Sequence, residues 1–242
     1  MFPIGDDNSD RRTKPIINYT IIFINIVVFV LLQGIGSNDT FTYAYSLVPR
    51  EITTGVDLSG AQIISESLGP IRTLQLEPTP LSVYITLLTS MFMHGGISHI
   101  FGNMLFLWVF GDNIENRLGH LRYAIFYLVC GLIAAAAQIV MDTGSIIPML
   151  GASGAISGVL GGYLLLYPRR RVRAILFNFL TDVPAYVALG SWIFYQIVLG
   201  YLTPAGTGGV AYAAHIGGFV GGLVLIKIFA IGTNGRRPSV TL

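Results

Sequence analysis

Long apolar runs separated by short polar connections dominate the hydrophobic pattern of this chain. A helix that crosses a bilayer needs about 20 largely apolar residues, or about 17 at the short end. Six segments fit this requirement, some of them narrowly. They are residues 16–32, 97–112, 122–140, 151–167, 184–202 and 210–231. The pattern therefore predicts six membrane-spanning helices.

The longest connection separates the first two predicted spans. Residues 33–81 are rich in Ser, Thr, Gly and Pro, and a connection of this length in a compact protein is expected to carry short helices of its own. Residues 82–93 are apolar and form an interfacial or partly buried lead-in to the second span. The predicted organisation is a tail (1–15), a six-span membrane domain (16–231) with an outer loop at 33–96, and a second tail (232–242).

Composition agrees with a membrane protein. Only 11% of the 242 residues are charged, 53% are hydrophobic, and the mean hydropathy is +0.68. About a quarter of a soluble chain is usually charged, so a soluble enzyme, a nucleic-acid binder and a disordered chain are disfavoured. The net charge of +2 is too small to indicate a polyanionic partner, and the single Cys130 offers no internal disulfide or metal cluster. The predicted fold class is an all-α polytopic membrane protein.

The positions of Lys and Arg predict the orientation. Twelve of the fourteen basic residues fall on one side of the predicted spans, and only Arg50 and Arg72 fall on the other. Because basic residues concentrate in cytoplasmic loops, both termini are expected in the cytoplasm. The segments 33–96, 141–150 and 203–209 are then expected outside. The basic start precedes an apolar run with no small-residue cleavage site, which favours a retained span over a signal peptide.

Glycines recur every four residues in two of the spans. Gly154, Gly158 and Gly162 do so in the fourth span, and Gly218 and Gly222 do so in the sixth. Small residues at this spacing let two helix backbones approach closely in lipid. The fourth and sixth spans are therefore predicted to be close neighbours.

A few polar side chains interrupt the outer third of the second, fourth and sixth spans. They are His99, Asn103, Ser153 and His215. Taken singly, each has a structural explanation, such as a back-bonded Ser or an interhelical Asn. Together they fall within several Å of depth, given a rise of about 1.5 Å per residue. They suit a nucleophilic site, with Ser153 activated by His215 and with helix N–H groups, His99 and Asn103 binding an oxyanion. No acidic third member is evident.

Four sequence motifs connect these residues to a known family. They are MHGGISHIFGNM at 93–104, GDNIENRLG at 111–119, GASGAISG at 151–158 and AHIGG at 214–218. With them, the chain resembles the rhomboid intramembrane serine proteases. The resemblance implies that Ser153 is the nucleophile and His215 the general base, and that His99, Asn103 and the Ser153 N–H bind the oxyanion. It also implies that His94 and Gly151 support this pocket and that Gly218 leaves room near the dyad.

The same resemblance implies a six-helix bundle that cuts transmembrane protein substrates near the outer face of the membrane. No cofactor or metal is expected, and the compactness and short tails of the chain favour a prokaryotic plasma membrane over an organellar membrane. The fifth span and the 203–209 loop would form the substrate gate. Two places depart from the pattern. Ile85 and Thr86 stand where some members carry a Trp-Arg pair in the first outer loop, and Ser157 stands where many members carry an aromatic residue beside the base. Another aromatic or a Ser157 hydrogen bond would then orient the base.

Two other functions fit parts of the sequence. An inactive relative would bind membrane clients without cutting them, although such relatives generally lose the Ser or the His that this chain keeps. A small-solute transporter would explain intramembrane His and Asn residues, although the polar set stops in the outer third of the spans.

Overall fold

The computed structural model describes residues 2–64, 72–176, 179–203 and 209–233. In these ranges the chain forms nine α-helices and five β-strands. The helices are α1 (Ile16–Val27), α2 (Asp39–Ala44), α3 (Pro49–Thr54), α4 (Thr86–Thr89), α5 (Ile97–Leu118), α6 (His120–Met141), α7 (Ser153–Leu166), α8 (Ala185–Leu202) and α9 (Tyr212–Phe229). The strands are β1 (Phe2–Asp6), β2 (Gly60–Ile64), β3 (Arg72–Leu76), β4 (Arg171–Leu176) and β5 (Phe179–Pro184).

Each of the six predicted spans contains one long helix, namely α1 and α5 to α9. A π-helical segment, Val28–Leu32, extends α1. Among the described residues, α6, α8 and α9 are both long enough and apolar enough to cross a bilayer. The apolar helices Ile16–Leu32 and Ser153–Leu166 are shorter. The helical positions are therefore confirmed, whereas the number of six crossings stays a prediction.

The expectation of an all-α chain is wrong in one respect, because the described residues include two small antiparallel sheets. One has the strand order β1-β4-β5, and the other is the hairpin β2-β3. In β4 the exposed Arg171 and Arg173 alternate with the buried Val172 and Ala174. This period of two is the signature of a half-buried strand, and the dense positive charge of the segment obscured it.

The three-stranded sheet joins the start of the chain to the connection between α7 and α8. Phe2 pairs with Ile175, and Asp6 pairs with Val172. The charge distribution predicts that these two segments share one side of the membrane. Their pairing agrees with that prediction, since paired strands lie side by side.

The 33–96 connection contains the short helices that were predicted, α2 and α3, together with the unpredicted β2-β3 hairpin. The apolar lead-in is a series of tight turns around α4. This lead-in is bonded to the segment before α7, because the Gly151 N–H donates to the Ser90 carbonyl at 2.9 Å. Leu47 and Met149 form a further backbone bridge. The long connection thus supports the approach to α7.

Close backbone contact between α7 and α9 lies at the centre of the bundle. A methyl group on Gly222 would overlap the carbonyl oxygen of Gly158, and one on Gly218 would overlap that of Gly154. On the other helix, a methyl group on Gly161 would overlap the Phe219 carbonyl. These contacts confirm that the fourth and sixth predicted spans are close neighbours.

The start of α1 is stabilised by a carboxylate from another helix. Glu115 of α5 is fully buried and accepts hydrogen bonds from the N–H groups of Ile17 (2.9 Å) and Asn18 (2.7 Å). The first N–H groups of a helix have no partner within it and carry the positive end of its dipole. Glu115 therefore anchors α1 to α5, and His120 contacts the same carboxylate at 2.5 Å.

The end of β1 makes a second polar anchor. The Tyr163 hydroxyl donates to Asp6 at 2.5 Å, and the Asn113 amide donates to it at 2.8 Å. Arg170 in turn donates to Asn113. Burial raises the pKa of Asp6 to about 7, chiefly because a buried carboxylate loses its hydration.

The glycine contact predicts a specific cost for added volume. Gly222→Ala is expected to lower the free energy of unfolding by about 1–3 kcal/mol, because the new methyl group must displace the Gly158 carbonyl. Gly190→Ala in α8 is the matched control. A methyl group there meets nothing within 4 Å, so this variant should be neutral or more stable by about 0.5–1 kcal/mol. Unfolding in mixed micelles measures both, and equal effects would contradict the packing argument.

Asp6 predicts a pH dependence of the N-terminal strand. Its folded-state pKa is raised from 3.8 to about 7, so the folded state holds the proton more tightly than the unfolded state. The resulting stabilisation is complete below pH 3.8 and is lost as the pH rises through about 7. Amide-exchange protection factors in β1 should therefore fall across this interval.

Two variants separate this effect from a general pH response. Asp6→Asn should make the protection of β1 nearly independent of pH across the interval. Asp7→Asn should leave the trend in place, because the Asp7 side chain is exposed and the Ser9 N–H lowers its pKa. A trend that survives Asp6→Asn would rule out Asp6 as the titrating group.

Candidate active site

Ser153 is the first residue of α7. It follows Gly151, whose backbone has φ +124°, a conformation that other residues adopt only with strain. The turn brings a half-buried Ser153 to the N-terminus of the helix, where N–H groups lack partners within the helix. A negative charge that develops beside Ser153 would be stabilised there.

His215 lies in the first turn of α9 and faces Ser153. The distance from His215 Nε2 to Ser153 Oγ is 2.8 Å. A nucleophile and its base are expected within hydrogen-bond reach, at about 2.6–3.2 Å. The distance lies inside this range, so the predicted juxtaposition of the two side chains is confirmed.

The other nitrogen of His215 has a partner that the sequence analysis missed. Nδ1 lies 2.8 Å from Oε1 of Gln196, which belongs to α8. Gln196 was missed because it sits in an ordinary apolar span, and no short motif connects it to His215. The available signal was a polar glutamine inside an apolar span.

His99 and Asn103 converge on the turn before Ser153. A methyl group on Gly151 would lie 2.7 Å from His99 Nε2 and 3.6 Å from Asn103 Nδ2. The Gly95 N–H donates to His99 Nδ1 at 3.3 Å, which leaves the proton of a neutral ring on Nε2. Asn103 Nδ2 is buried and has no partner among the described residues. Two side-chain donors thus face the space beside Gly151.

His94 packs against His99. Its side chain is fully buried, and its ring contacts that of His99 edge-on with centroids 5.1 Å apart. Gln33, also fully buried, accepts from the His94 N–H and donates to the His94 carbonyl, each at 2.9 Å. Gln33 lies far from the motifs in sequence and was not predicted.

Ser157 does not contact the base. Its hydroxyl donates to the Ser153 carbonyl at 2.6 Å, so the suggested hydrogen bond from Ser157 to His215 is absent from the described residues. An aromatic side chain from a different helix lies near the base instead. The ring centroid of Trp192 in α8 lies 5.9 Å from that of His215.

Gly218 acts through backbone proximity. Its Cα lies against the carbonyl of Gly154, the residue after Ser153. A side chain at Gly218 would push the start of α9 away from the start of α7 and would lengthen the contact from His215 to Ser153. Gly218 therefore sets the separation of the two helices at the site.

A cavity of about 1270 Å³ opens over these residues. Ser153, His215, His99 and Asn103 all contribute to its wall. Parts of the 33–96 and 141–150 connections also line it. The cavity leaves Ser153 accessible to water, which any hydrolytic site requires.

The predicted gate loop at 203–209 is described only at its two ends. Thr203 and Gly209 line the cavity, whereas Pro204, Gly206 and Gly208 lie outside the described residues. Where the chain is described, no group of three or more His, Cys, Asp or Glu side chains could hold a metal ion.

The fold and the site define a helical membrane protein with a Ser–His pair at a glycine-packed helix interface. A model of the Rhomboid domain matches residues 82–231, which include all of the predicted site residues. The chain belongs to the rhomboid family.

Individual relatives are distant. The chain is 28% identical over 201 residues to Rhomboid protease GluP of Bacillus subtilis, covering 82% of this chain and 37% of the relative. It is 30% identical over 148 residues to Rhomboid protein 1, mitochondrial, of Saccharomyces cerevisiae, covering 58% and 40%. It is 32% identical over 158 residues to the Presenilin-associated rhomboid-like protein, mitochondrial, of Bos taurus, covering 63% and 40%. The chain thus spans less than half the length of these curated relatives.

The contacts of Gln33 predict a structural role behind the site. Gln33→Leu should lower the free energy of unfolding by about 2 kcal/mol or more, because it leaves the buried N–H and carbonyl of His94 without partners. Gln62→Leu is the control, since Gln62 is half-exposed in the β2-β3 hairpin. It should change stability by at most about 0.5 kcal/mol. Similar losses in both variants would show that the His94 contacts contribute nothing specific.

Proposed function

We propose that this protein is an intramembrane serine endopeptidase that hydrolyses peptide bonds of transmembrane proteins. The observation that carries the proposal is the 2.8 Å contact between Ser153 Oγ and His215 Nε2 at the wall of a cavity. Family membership supports it, and so does the name Rhomboid protease borne by one relative.

The proposed reaction has two stages. Ser153 Oγ attacks the peptide carbonyl while His215 Nε2 takes the hydroxyl proton, and a tetrahedral oxyanion forms. The C–N bond then breaks, and His215 passes the proton to the leaving amine. A water molecule from the cavity next loses a proton to His215 and attacks the acyl-enzyme. The ester bond breaks, and His215 returns the proton to Ser153.

The oxyanion would be bound by three N–H donors. These are the backbone N–H of Ser153, Nε2 of His99 and Nδ2 of Asn103. Asn103 supports this role best, because its buried amide nitrogen has no partner among the described residues and is free to donate. Donors held in place before the reaction stabilise the developing charge without reorganisation. His94, Gly151 and Gly218 position this machinery without contacting the substrate.

The proposed setting is the plasma membrane, with both termini in the cytoplasm and cleavage near the outer face. In this proposal the chain consists of a six-span membrane domain at 16–231, with tails at 1–15 and 232–242. Pairing of β1 with β4 supports a common side for the N-terminal tail and the α7–α8 connection. The α8 helix and the 203–209 loop would admit the substrate, and the limited burial of α8 is compatible with movement.

The proposal predicts loss of cleavage when either member of the dyad is removed. The full chain is reconstituted in liposomes with a model transmembrane substrate. Ser153→Ala and His215→Ala should each lower the cleavage rate by about 10³-fold or more, because the nucleophile or its base is lost. Cleavage products are quantified by gel, and labelling by a fluorophosphonate should require Ser153.

Thr20→Ala is the matched control. Thr20 also lies in a predicted span, but it belongs to α1, outside the proposed gate, and its hydroxyl bonds back to the Ile16 carbonyl at 2.8 Å. This variant should cleave and label as the unmodified protein does. Cleavage by Ser153→Ala at the unmodified rate would overturn the proposed function. Substrate binding without cleavage or labelling in the unmodified protein would instead favour an inactive, client-binding relative.

A further inference from the structure

The base of the dyad is contacted by a helix that the sequence motifs do not include. In α8, Trp192 and Gln196 are four positions apart in sequence and therefore share one face of the helix. Trp192 lies beside the His215 ring, and Gln196 contacts its Nδ1. The base is thus held between α7 on one side and α8 on the other.

Burial makes Gln196 unusual within its helix. Four of the 18 residues of α8 are buried, and three of these, Ala185, Ala188 and Leu189, lie in its first five positions. In the rest of α8, from residue 190 to residue 202, Gln196 is the one buried residue, and 7% of its surface is exposed. A polar amide buried among apolar helices requires a hydrogen-bond partner, and His215 Nδ1 supplies one at 2.8 Å.

We propose that Gln196 is a positioning residue that fixes the tautomer and orientation of His215, an inference that rests on the proposed protease function. Its Oε1 carries no hydrogen and can only accept. The proton of a neutral His215 ring must then reside on Nδ1, and Nε2 offers its lone pair to the Ser153 hydroxyl. This is the tautomer that a general base requires. The opposite tautomer would set two lone pairs against each other at Nδ1.

The contact remains favourable during the reaction. When His215 takes the Ser153 proton it becomes a cation, and its Nδ1–H still donates to Oε1. A hydrogen bond from a charged donor is about twice as strong as a neutral one. Gln196 therefore stabilises the charged base without bringing a second charge into an apolar site, where desolvation of a carboxylate would be costly.

The proposal also explains how the base is held in this chain, in which Ser157 occupies the position where many rhomboid proteases carry an aromatic residue. The Ser157 hydroxyl is bound to the Ser153 carbonyl and is not available to His215. Gln196 and Trp192 reach the ring from α8 instead. The residues that orient the base therefore belong to α8, and not to α7, the helix of the nucleophile.

The first test is the protonation state of His215, which does not depend on activity. The full chain is labelled with ¹⁵N-histidine in micelles, and His215→Gln identifies the His215 signals by their loss. At a pH where the ring is neutral, we expect a protonated Nδ1 and an unprotonated Nε2. A Gln196 amide in the reverse orientation would donate to Nδ1 and put the proton on Nε2. That spectrum from the unmodified protein alone would overturn the proposal.

The second test separates positioning from packing. Gln196→Met keeps the length of the side chain but removes the acceptor, so kcat should fall about tenfold with KM changed by less than about twofold. Gln196→Glu keeps an acceptor oxygen whether ionised or protonated, so it should retain the Nδ1–H tautomer and recover most of kcat. Phe23→Met on the exposed face of α1, away from the cavity, is the control and should not change either constant.

The outcomes distinguish this proposal from the proposed function. An unchanged kcat and an unchanged tautomer in a folded Gln196→Met protein would leave the protease intact and would reduce Gln196 to a packing residue. Absence of cleavage by the unmodified protein would defeat the protease function, while the ¹⁵N spectrum would still decide the tautomer. Should Gln196→Met fail to fold, the unmodified spectrum and Gln196→Glu carry the test.

Discussion

The backbone contact between α7 and α9 is the constraint on which the site depends. Gly218 and Gly222 of α9 lie against the carbonyl groups of Gly154 and Gly158. Side chains at these positions would hold the two helices farther apart, and Ser153 would then be out of hydrogen-bond reach of His215. Association of helices in lipid relies on close packing because no hydrophobic force favours protein over lipid. The glycines therefore serve stability and the proposed chemistry through the same contact.

Carboxyl groups anchor the N-terminal elements α1 and β1, whereas uncharged polar groups surround Ser153 and His215. The carboxylates of Glu115 and Asp6 anchor α1 and β1, where helix N–H groups and polar side chains can satisfy them. The residues that contact Ser153 and its base carry no charged group: the Gln196 amide and the Trp192 ring lie against His215, and the Ser157 hydroxyl bonds the Ser153 carbonyl. A neutral amide such as Gln196 selects a tautomer without the desolvation cost of a buried ion. This arrangement allows acid–base chemistry among apolar helices.

The sequence predicted those features that depend on local pattern, and it missed those that depend on tertiary contacts. The long helices follow from apolar length, and the meeting of Ser153 and His215 follows from equal depth in glycine-rich spans. The β4 strand was missed because its alternating burial is masked by arginines. Gln33 and Gln196 were missed because their partners lie 61 and 19 residues away in sequence. A lone glutamine carries no spacing that identifies such a partner.

Different contacts control the reach of the dyad and the protonation of its base. The separation of Ser153 from His215 is set where α7 and α9 pack backbone to backbone. The proposed selection of the tautomer is set by Gln196 on α8, a helix that buries few of its residues. A displacement of α8 would therefore release Nδ1 while Ser153 and His215 remained in contact. Because substrate entry is proposed beside α8, the strength of the base and the openness of the site would change together.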